Sequence, residues 1–152
     1  MVDEPEVNAL GQPVGIAVAD WQGAQRPMRE AITGTRCRLE PLLAEKHAAA
    51  LHAAYAMDET GRNWTYLPDG TFDSVGCYAD WIRAGEAGDD PVFFAIVDGA
   101  TDLAVGVASF LRGFPELGSV EVGHLSYSPL LQQTPLSTAS RHLMIRRVFS
   151  GW

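Results

Sequence analysis

Glu121 and His124 stand three positions apart in the run SVEVGHLSYS, residues 119–128. A carboxylate inside an otherwise apolar, strand-like run needs a physical reason. Either it sits at a sheet rim, paired with an arginine, or partial burial lifts its pKa and makes it a general base. Period-2 alternation puts Glu121, Gly123, Leu125 and Tyr127 on one face of the strand and Val120, Val122, His124 and Ser126 on the other. On that count the two titratable groups point apart; His124 could serve as a base from the opposite face, but its first reading is a core or surface histidine. The strand stops at Pro129, and LLQQTPLST, residues 130–138, leads into a helix. A helix start carries unsatisfied N–H groups and the positive end of the helix dipole, so it suits phosphate oxygens. Most strand-to-helix turns nevertheless bind nothing, so the turn by itself leaves both readings open.

Other chemistries lack their residues. His47 and His52 are five apart and point about 140° from each other on a helix, too far to share a metal. Neither His124 and His142 nor Cys37 and Cys77 have ligand spacing, and no metal is expected. There is no Gly-x-Ser-x-Gly elbow, phosphate-binding loop or dinucleotide fingerprint. Gly106 and Gly123, inside strand-like runs, mark bulges or close backbone approach. Cys37 and Cys77 read as small buried hydrophobes. Two cysteines make no disulfide framework, which points to a reducing cytoplasm. The net charge of −8 argues against nucleic acid and against an anionic membrane surface, both of which need a basic face. No run of apolar residues is long enough for a membrane span, and the acidic opening MVDEPEVNAL does not resemble a secretory signal.

The elements that must position these residues fit one domain of 152 residues. Residues 1–34 scatter Gly, Pro, Gln and Ala without period and read as an irregular arm, pinned through Val14, Ile16, Val18 and Trp21. A domain at 35–152 follows. TRCRLEP alternates like a strand. PLLAEKHAAALHAAYAMDE is a helix, with Leu43, His47, Leu51, Ala54 and Asp58 at helical spacing. A loop rich in aromatics carries Trp64, Tyr66 and Phe72, with its turn at Pro68, Asp69 and Gly70. A second helix is capped by Asp73 or Ser74, turns Val75, Tyr78, Trp81 and Ile82 inward, and ends at Gly85 and Gly88. Three strands follow in a meander, PVFFAIVD, LAVGVASFL and SVEVGHLSYS, the first buried on both faces. A last helix covers STASRHLMIRRVF. The fold class is α/β in the α+β sense: a mostly antiparallel sheet flanked by helices.

The segments RLEPLLAEKHAAALHAAY, RNWTYLPDGTF, DDPVFFAIVD, AVGVASFLR and SVEVGHLSYSPLLQQT occur in this order over about three-quarters of the chain. Together they resemble the GNAT superfamily of N-acetyltransferases, in the branch similar to ribosomal-protein N-terminal acetyltransferases. The resemblance implies acetyl-CoA as cosubstrate and direct attack by a primary amine, either a small molecule or a peptide. It implies that Glu121 removes the amine proton, and that backbone at Leu125, Ser126 and Tyr127 orients the carbonyl and the pantetheine arm. The family's Arg/Gln-x-x-Gly-x-Gly/Ala turn falls on Gln132, Gln133, Thr134, Pro135, Leu136, Ser137 and Thr138. Pro135 replaces its first glycine and so removes an amide where the family has conformational freedom. Trp64, Tyr66 and Phe72 match the border of the acceptor site; plugging the core between helix and sheet is their other reading. Relatives continue with further strands beyond the last helix, so the resemblance also implies a C-terminally shortened form. An inactive remnant, or an amine- or peptide-binding module, is the alternative to an active enzyme. An uncovered last strand would expose unpaired N–H and C=O groups and favour a homodimer through that edge.

Overall fold

A computed structural model describes residues 6–16 and 18–150; the acidic residues 1–5 and the terminal 151–152 lie outside it. The elements run β1 (Ile32–Thr33), β2 (Cys37–Pro41), α1 (Ala44–Tyr55), α2 (Val75–Glu86), β3 (Val92–Asp98), β4 (Ala104–Phe114), β5 (Ser119–Tyr127) and α3 (Pro135–Ser150). Short 3-10 turns at Arg62–Trp64 and Pro115–Leu117 join α1 to α2 and β4 to β5. The sheet is one antiparallel meander in the order β1-β2-β3-β4-β5.

The meander follows from residue type. All but the last residue of VFFAIVD are buried, as a β-rich run in the centre of a sheet must be. Phe93, Ala95 and Val97 face α1 and α2, where Leu51, Tyr55, Tyr78 and Ile82 complete one core. Phe94 and Ile96 face α3, where Phe110, Leu131 and Met144 complete the other. Each large apolar side chain buried this way contributes about 1.5–3 kcal/mol. Ser74 caps α2, its Oγ accepting from the Cys77 amide at 3.2 Å. The Ala- and Leu-rich α1 forms where its composition requires.

Several expectations are corrected. Val75 is exposed, because it opens the first turn of α2 ahead of the face that meets the sheet. Gly85 lies inside α2, which runs on to Glu86. In α1, Leu43 is the exposed N-cap, and Leu42 takes the buried place by bonding its amide to the Phe93 carbonyl. Asp58 lies beyond the helix and caps the following turn, accepting from the Asn63 amide at 2.8 Å. Cys77 is exposed and Cys37 buried; burial pushes the Cys37 thiol pKa up. The arm is not held by Val14, Ile16 or Val18, all exposed. It is held by Trp21, whose ring fits against Gly118 and whose Nε1 donates to the Glu116 carbonyl at 2.7 Å. Ala24 adds a backbone bond to Pro115, and Glu30 pairs with Arg147 of α3 at 2.9 Å. The stretch read as arm also contains β1, which pairs with β2.

Candidate functional site

The chemistry-bearing strand does not keep its alternation. Ser109 pairs with Gly123 and Val107 with Ser126, so three steps along β5 oppose two along β4. The extra residue is a β-bulge, and His124 adopts φ +47° within it, a left-handed conformation uncommon for a residue with a side chain. The bulge turns His124 to the α1/α2 side of the sheet, where its ring stands edge-on to Phe93 at 4.9 Å and tilted over Trp81 at 5.7 Å. Leu125 packs with the α3 core instead. Period-2 counting had put His124 opposite Glu121; the bulge corrects this, and both line one open groove of about 850 Å³.

Glu121 stands at the rim of that groove, 46% exposed, and accepts from Arg112 Nη1 at 2.8 Å. A second bulge makes this pairing. Leu111 pairs with Glu121 and Phe114 with Ser119, leaving an extra residue on β4 beside Arg112, whose φ is +49°. The Asp90 carboxylate accepts from the Arg112 and Gly113 amides at 2.9 and 3.0 Å and fixes the bulge. His124 is more enclosed, with 10% of its side chain exposed. Its Nε2 is fully buried, has no hydrogen-bond partner and lies 3.5 Å from Asp69 Oδ2. Burial pushes its pKa below the usual histidine range, and the Asp69 carboxylate offsets part of that. Asn63 lines the same groove, and its Nδ2 is also buried without a partner. Buried polar atoms left unbonded are uncommon, so two at one groove mark a place where a ligand can complete the bonding.

The turn at 128–134 joins β5 to α3. Ser128 is fully buried and its Oγ donates to the Val105 carbonyl at 2.6 Å, while Leu131 plugs the α3-side core. The backbone passes so close to β4 that a Cβ on Gly106 would stand 2.5 Å from Leu131 Cδ2, as a glycine of close approach requires. Gln133 takes φ +56° at the tip. Thr134 closes the helix start, its carbonyl accepting from the Ser137 amide and the Ser137 hydroxyl. α3 begins at Pro135 rather than at Ser137 as the spacing suggests. Proline suits the first helical position, where its missing N–H would have no intrahelical partner. Gln132, Gln133 and Thr138 are exposed around this helix start, and Leu136 is half-buried. A second cleft, about 450 Å³, runs past Thr134, Pro135 and Leu136 to Arg36 and Gly99.

Of the other expected residues, Tyr127 turns its ring to the α3 side, with its hydroxyl 3.4 Å from Ser140 Oγ and Arg141 over its face. Only its backbone reaches the turn. Tyr55 Oη donates to the Ser126 carbonyl at 2.8 Å, and the Ser126 hydroxyl is buried without a partner. Tyr66 is fully exposed beside the groove. Trp64 and Phe72 are core plugs: they stand edge-to-face with each other, Trp64 edge-to-face with Tyr55 and Phe72 tilted against Tyr78, and they border a separate cavity of about 250 Å³ beside His52 and Asp58. Sequence reasoning missed Asn63, Asp69 and the facing of His124. A signal for the last was present, since a strand glycine directly before it marks a site of bulging. Among the described residues no cluster of three or more His, Cys, Asp or Glu side chains forms a metal site, and no helix is long and apolar enough to cross a membrane.

No protein-family model matches the chain, and no curated protein sequence matches it at a significant level. Solved structures do. A GCN5-related N-acetyltransferase from Brucella melitensis superposes with a TM-score of 0.84 at 29% identity, over 88% of this chain and 61% of that one. A Chromobacterium violaceum protein, provisionally described as a GNAT-family acetyltransferase, gives 0.79 at 29% identity over 91% of this chain and 69% of its own. A Vibrio cholerae structure, provisionally described as a ribosomal-protein-serine acetyltransferase, gives 0.64 at 16% identity, a likeness of fold alone. This chain thus spans less than two-thirds of the Brucella protein's length. Its strong structural neighbours are GNAT-family acetyltransferases, and its five-stranded antiparallel sheet with three helices is their fold.

Proposed function

We propose that this chain, sharing the GNAT acetyltransferase fold, carries an acetyl group from acetyl-CoA to a primary amine. The observation that carries the reading is the break in the β4–β5 ladder at the His124 bulge, which leads directly into the turn before α3. A bulge frees backbone polar groups from the ladder, and a helix start adds N–H groups for anionic oxygens. The charge distribution supports an anion here. The chain carries −8 overall, yet no Asp or Glu follows Glu121, while Arg141, Arg146 and Arg147 do. In this reading the backbone of Leu125, Ser126 and Tyr127 orients the thioester and pantetheine arm. Gln132, Gln133, Thr134, Pro135, Leu136, Ser137 and Thr138 form the diphosphate turn. The groove between β5 and the 63–68 loop, with Tyr66 beside it, receives a small-molecule or peptide amine. Two unpaired thiols agree with a cytoplasmic setting. Among the described residues no strand pairs with the outer edge of β5, which supports a homodimer through that edge.

Calorimetric titration with acetyl-CoA, alongside thermal unfolding with and without it, tests the proposal. Saturable binding is expected, with stabilisation of about 2.7 kcal/mol at a hundredfold excess over Kd. For a chain of this size that raises the Tm by roughly 5–10 °C. No heat and no shift would overturn it. Tyr66, fully exposed beside the groove, favours a second reading, an amine- or peptide-binding module without transfer. That reading predicts amine binding that Tyr66→Ala abolishes and that acetyl-CoA does not affect.

A further inference from the structure

We infer that His124, facing Asp69, is the group that takes the proton from the acceptor amine, and that Glu121 with Arg112 forms the charged rim of the acceptor groove. The inference rests on the acetyltransferase reading above and assigns the base within that site.

Geometry separates the two candidates. Glu121 is half exposed and its carboxylate is already engaged by a guanidinium at 2.8 Å. That carboxylate is committed to an ion pair at the solvent-facing rim and is not enclosed within the groove. His124 is nine-tenths buried in a cage made by Phe93 of β3, Trp81 of α2 and the Asp69 turn. Its strained backbone, φ +47°, puts the ring there and nowhere along a regular strand. Backbone strain of this kind survives where the surroundings impose it. The buried Nε2 faces the Asp69 carboxylate at 3.5 Å and makes no hydrogen bond. A carboxylate at that nitrogen favours a proton on Nε2, which leaves the lone pair on Nδ1 to accept one. The charged groups that line the groove are Glu121 from β5 and Arg112 from β4, and Asp69 of the loop faces the imidazole beside it. Burial keeps the imidazole neutral near pH 7, so it is ready as an acceptor. Asn63, with its Nδ2 unpaired at the same groove, supplies a donor to an oxygen of the bound acceptor.

In the step itself the amine nitrogen bonds to the thioester carbonyl carbon while His124 Nδ1 takes one amine proton. The carbon–sulfur bond then breaks, and the sulfur leaves as a thiolate that is protonated by water. His124 returns its proton to solvent.

Thiol release from acetyl-CoA, followed from pH 5.5 to 9.5 with spermidine, lysine amide and an N-terminally free tripeptide, is the test. His124→Gln is expected to lower kcat by about 100-fold or more and to abolish the acid limb of the kcat/KM profile, with acetyl-CoA affinity unchanged. Asp69→Asn lowers kcat less and shifts that limb. Glu121→Gln raises KM for the amine but keeps the limb. The reverse pattern, with the limb lost in Glu121→Gln and kept in His124→Gln, overturns the inference. So does acetyl-CoA binding without thiol release for any of the three amines. Failure of acetyl-CoA to bind would instead overturn the acetyltransferase reading. Should His124→Gln fold poorly, nitrogen-15 spectra of the wild-type protein decide: a neutral Nε2–H tautomer for His124 at pH 7 supports the assignment, and an Nδ1–H tautomer sinks it.

Discussion

The side-chain amide of Gln132 donates to the Tyr127 carbonyl at 2.9 Å, tying the turn before α3 to the end of β5. The same nitrogen reaches Asn63 Oδ1 at 2.5 Å, so one side chain joins strand, turn and the loop after α1. The two sides of the proposed site are therefore held in register through a single exposed residue.

Replacing Gln132 with alanine should loosen that junction while leaving both cores intact. We expect acetyl-CoA to bind about 5–30-fold more weakly, the equivalent of one or two hydrogen bonds. The Tm should stay within about 2 °C, because an exposed polar contact contributes little to stability. Calorimetric titration and a melting curve on the same sample separate the two effects. A large fall in Tm with unchanged affinity would mean that Gln132 serves stability only.

Pro135 stands where the family resemblance has glycine, but it occupies the first position of α3. Proline there fits the helix and removes no bond the helix would make. Pro135→Gly should cost about 0.4–1 kcal/mol through a more disordered unfolded chain, lowering the Tm by roughly 1–4 °C. Pro135→Gly also restores an N–H at the helix start, which has no partner in the helix and can bond an anionic oxygen, so acetyl-CoA affinity should rise by about two- to fivefold. A tenfold gain in affinity would show that the ring obstructs the turn.

Gly106 is the tightest point beneath that turn, with Leu131 Cδ2, the Ser126 carbonyl and Ile96 all within reach of an added methyl. Leu131 and Ile96 are fully buried, so neither can move without opening the core. Gly106→Ala should destabilise by about 1–3 kcal/mol, which thermal unfolding reads as a fall of roughly 2–12 °C. An unchanged Tm would mean that the turn at 128–134 is free to lift off β4.

Glu40, on β2, gives the clearest pH dependence. Burial raises its carboxyl, but bonds from Lys46 at 2.5 Å, His47 at 3.1 Å and Arg38 at 3.1 Å outweigh this and hold its pKa at about 2, against 4.5 for the free group. A carboxyl whose folded pKa is depressed stabilises fully above its unfolded value and loses that contribution as pH falls. Stability from Glu40 should therefore be complete above about pH 4.5 and disappear towards pH 2. His47, buried and also lowered mainly by burial, adds an earlier loss as pH drops below its unfolded value of 6.5. Denaturant unfolding between pH 2 and 8 should show both slopes in the wild-type protein. Glu40→Gln should remove the lower one and cost about 1–3 kcal/mol at pH 7 by weakening the bond to the buried His47. A Glu40→Gln curve parallel to wild type would refute the network.

The elements themselves were legible in the sequence because their signals are local. The apolar run of β3, the Ala- and Leu-rich α1, the Ser74 cap and the Asp98-Gly99 turn each depend on neighbours within a few residues. The order of segments also sufficed to expect the shared fold. What escaped was every relationship that depends on pairing. Two bulges, at His124 and beside Arg112, arise from how β4 and β5 meet, and one inserted residue is enough to change which face a side chain takes. That is why counting by twos separated Glu121 from His124 while the folded sheet brings them to one groove. The inward face of a helix also depends on where its first turn stands against the sheet, which exposed Val75 and Leu43. Composition and spacing determined which residues with chemical potential this protein has and which elements carry them; only the long-range pairing of strands decided which of them face one another, because a bulge acts across the hydrogen-bond ladder and not along the chain.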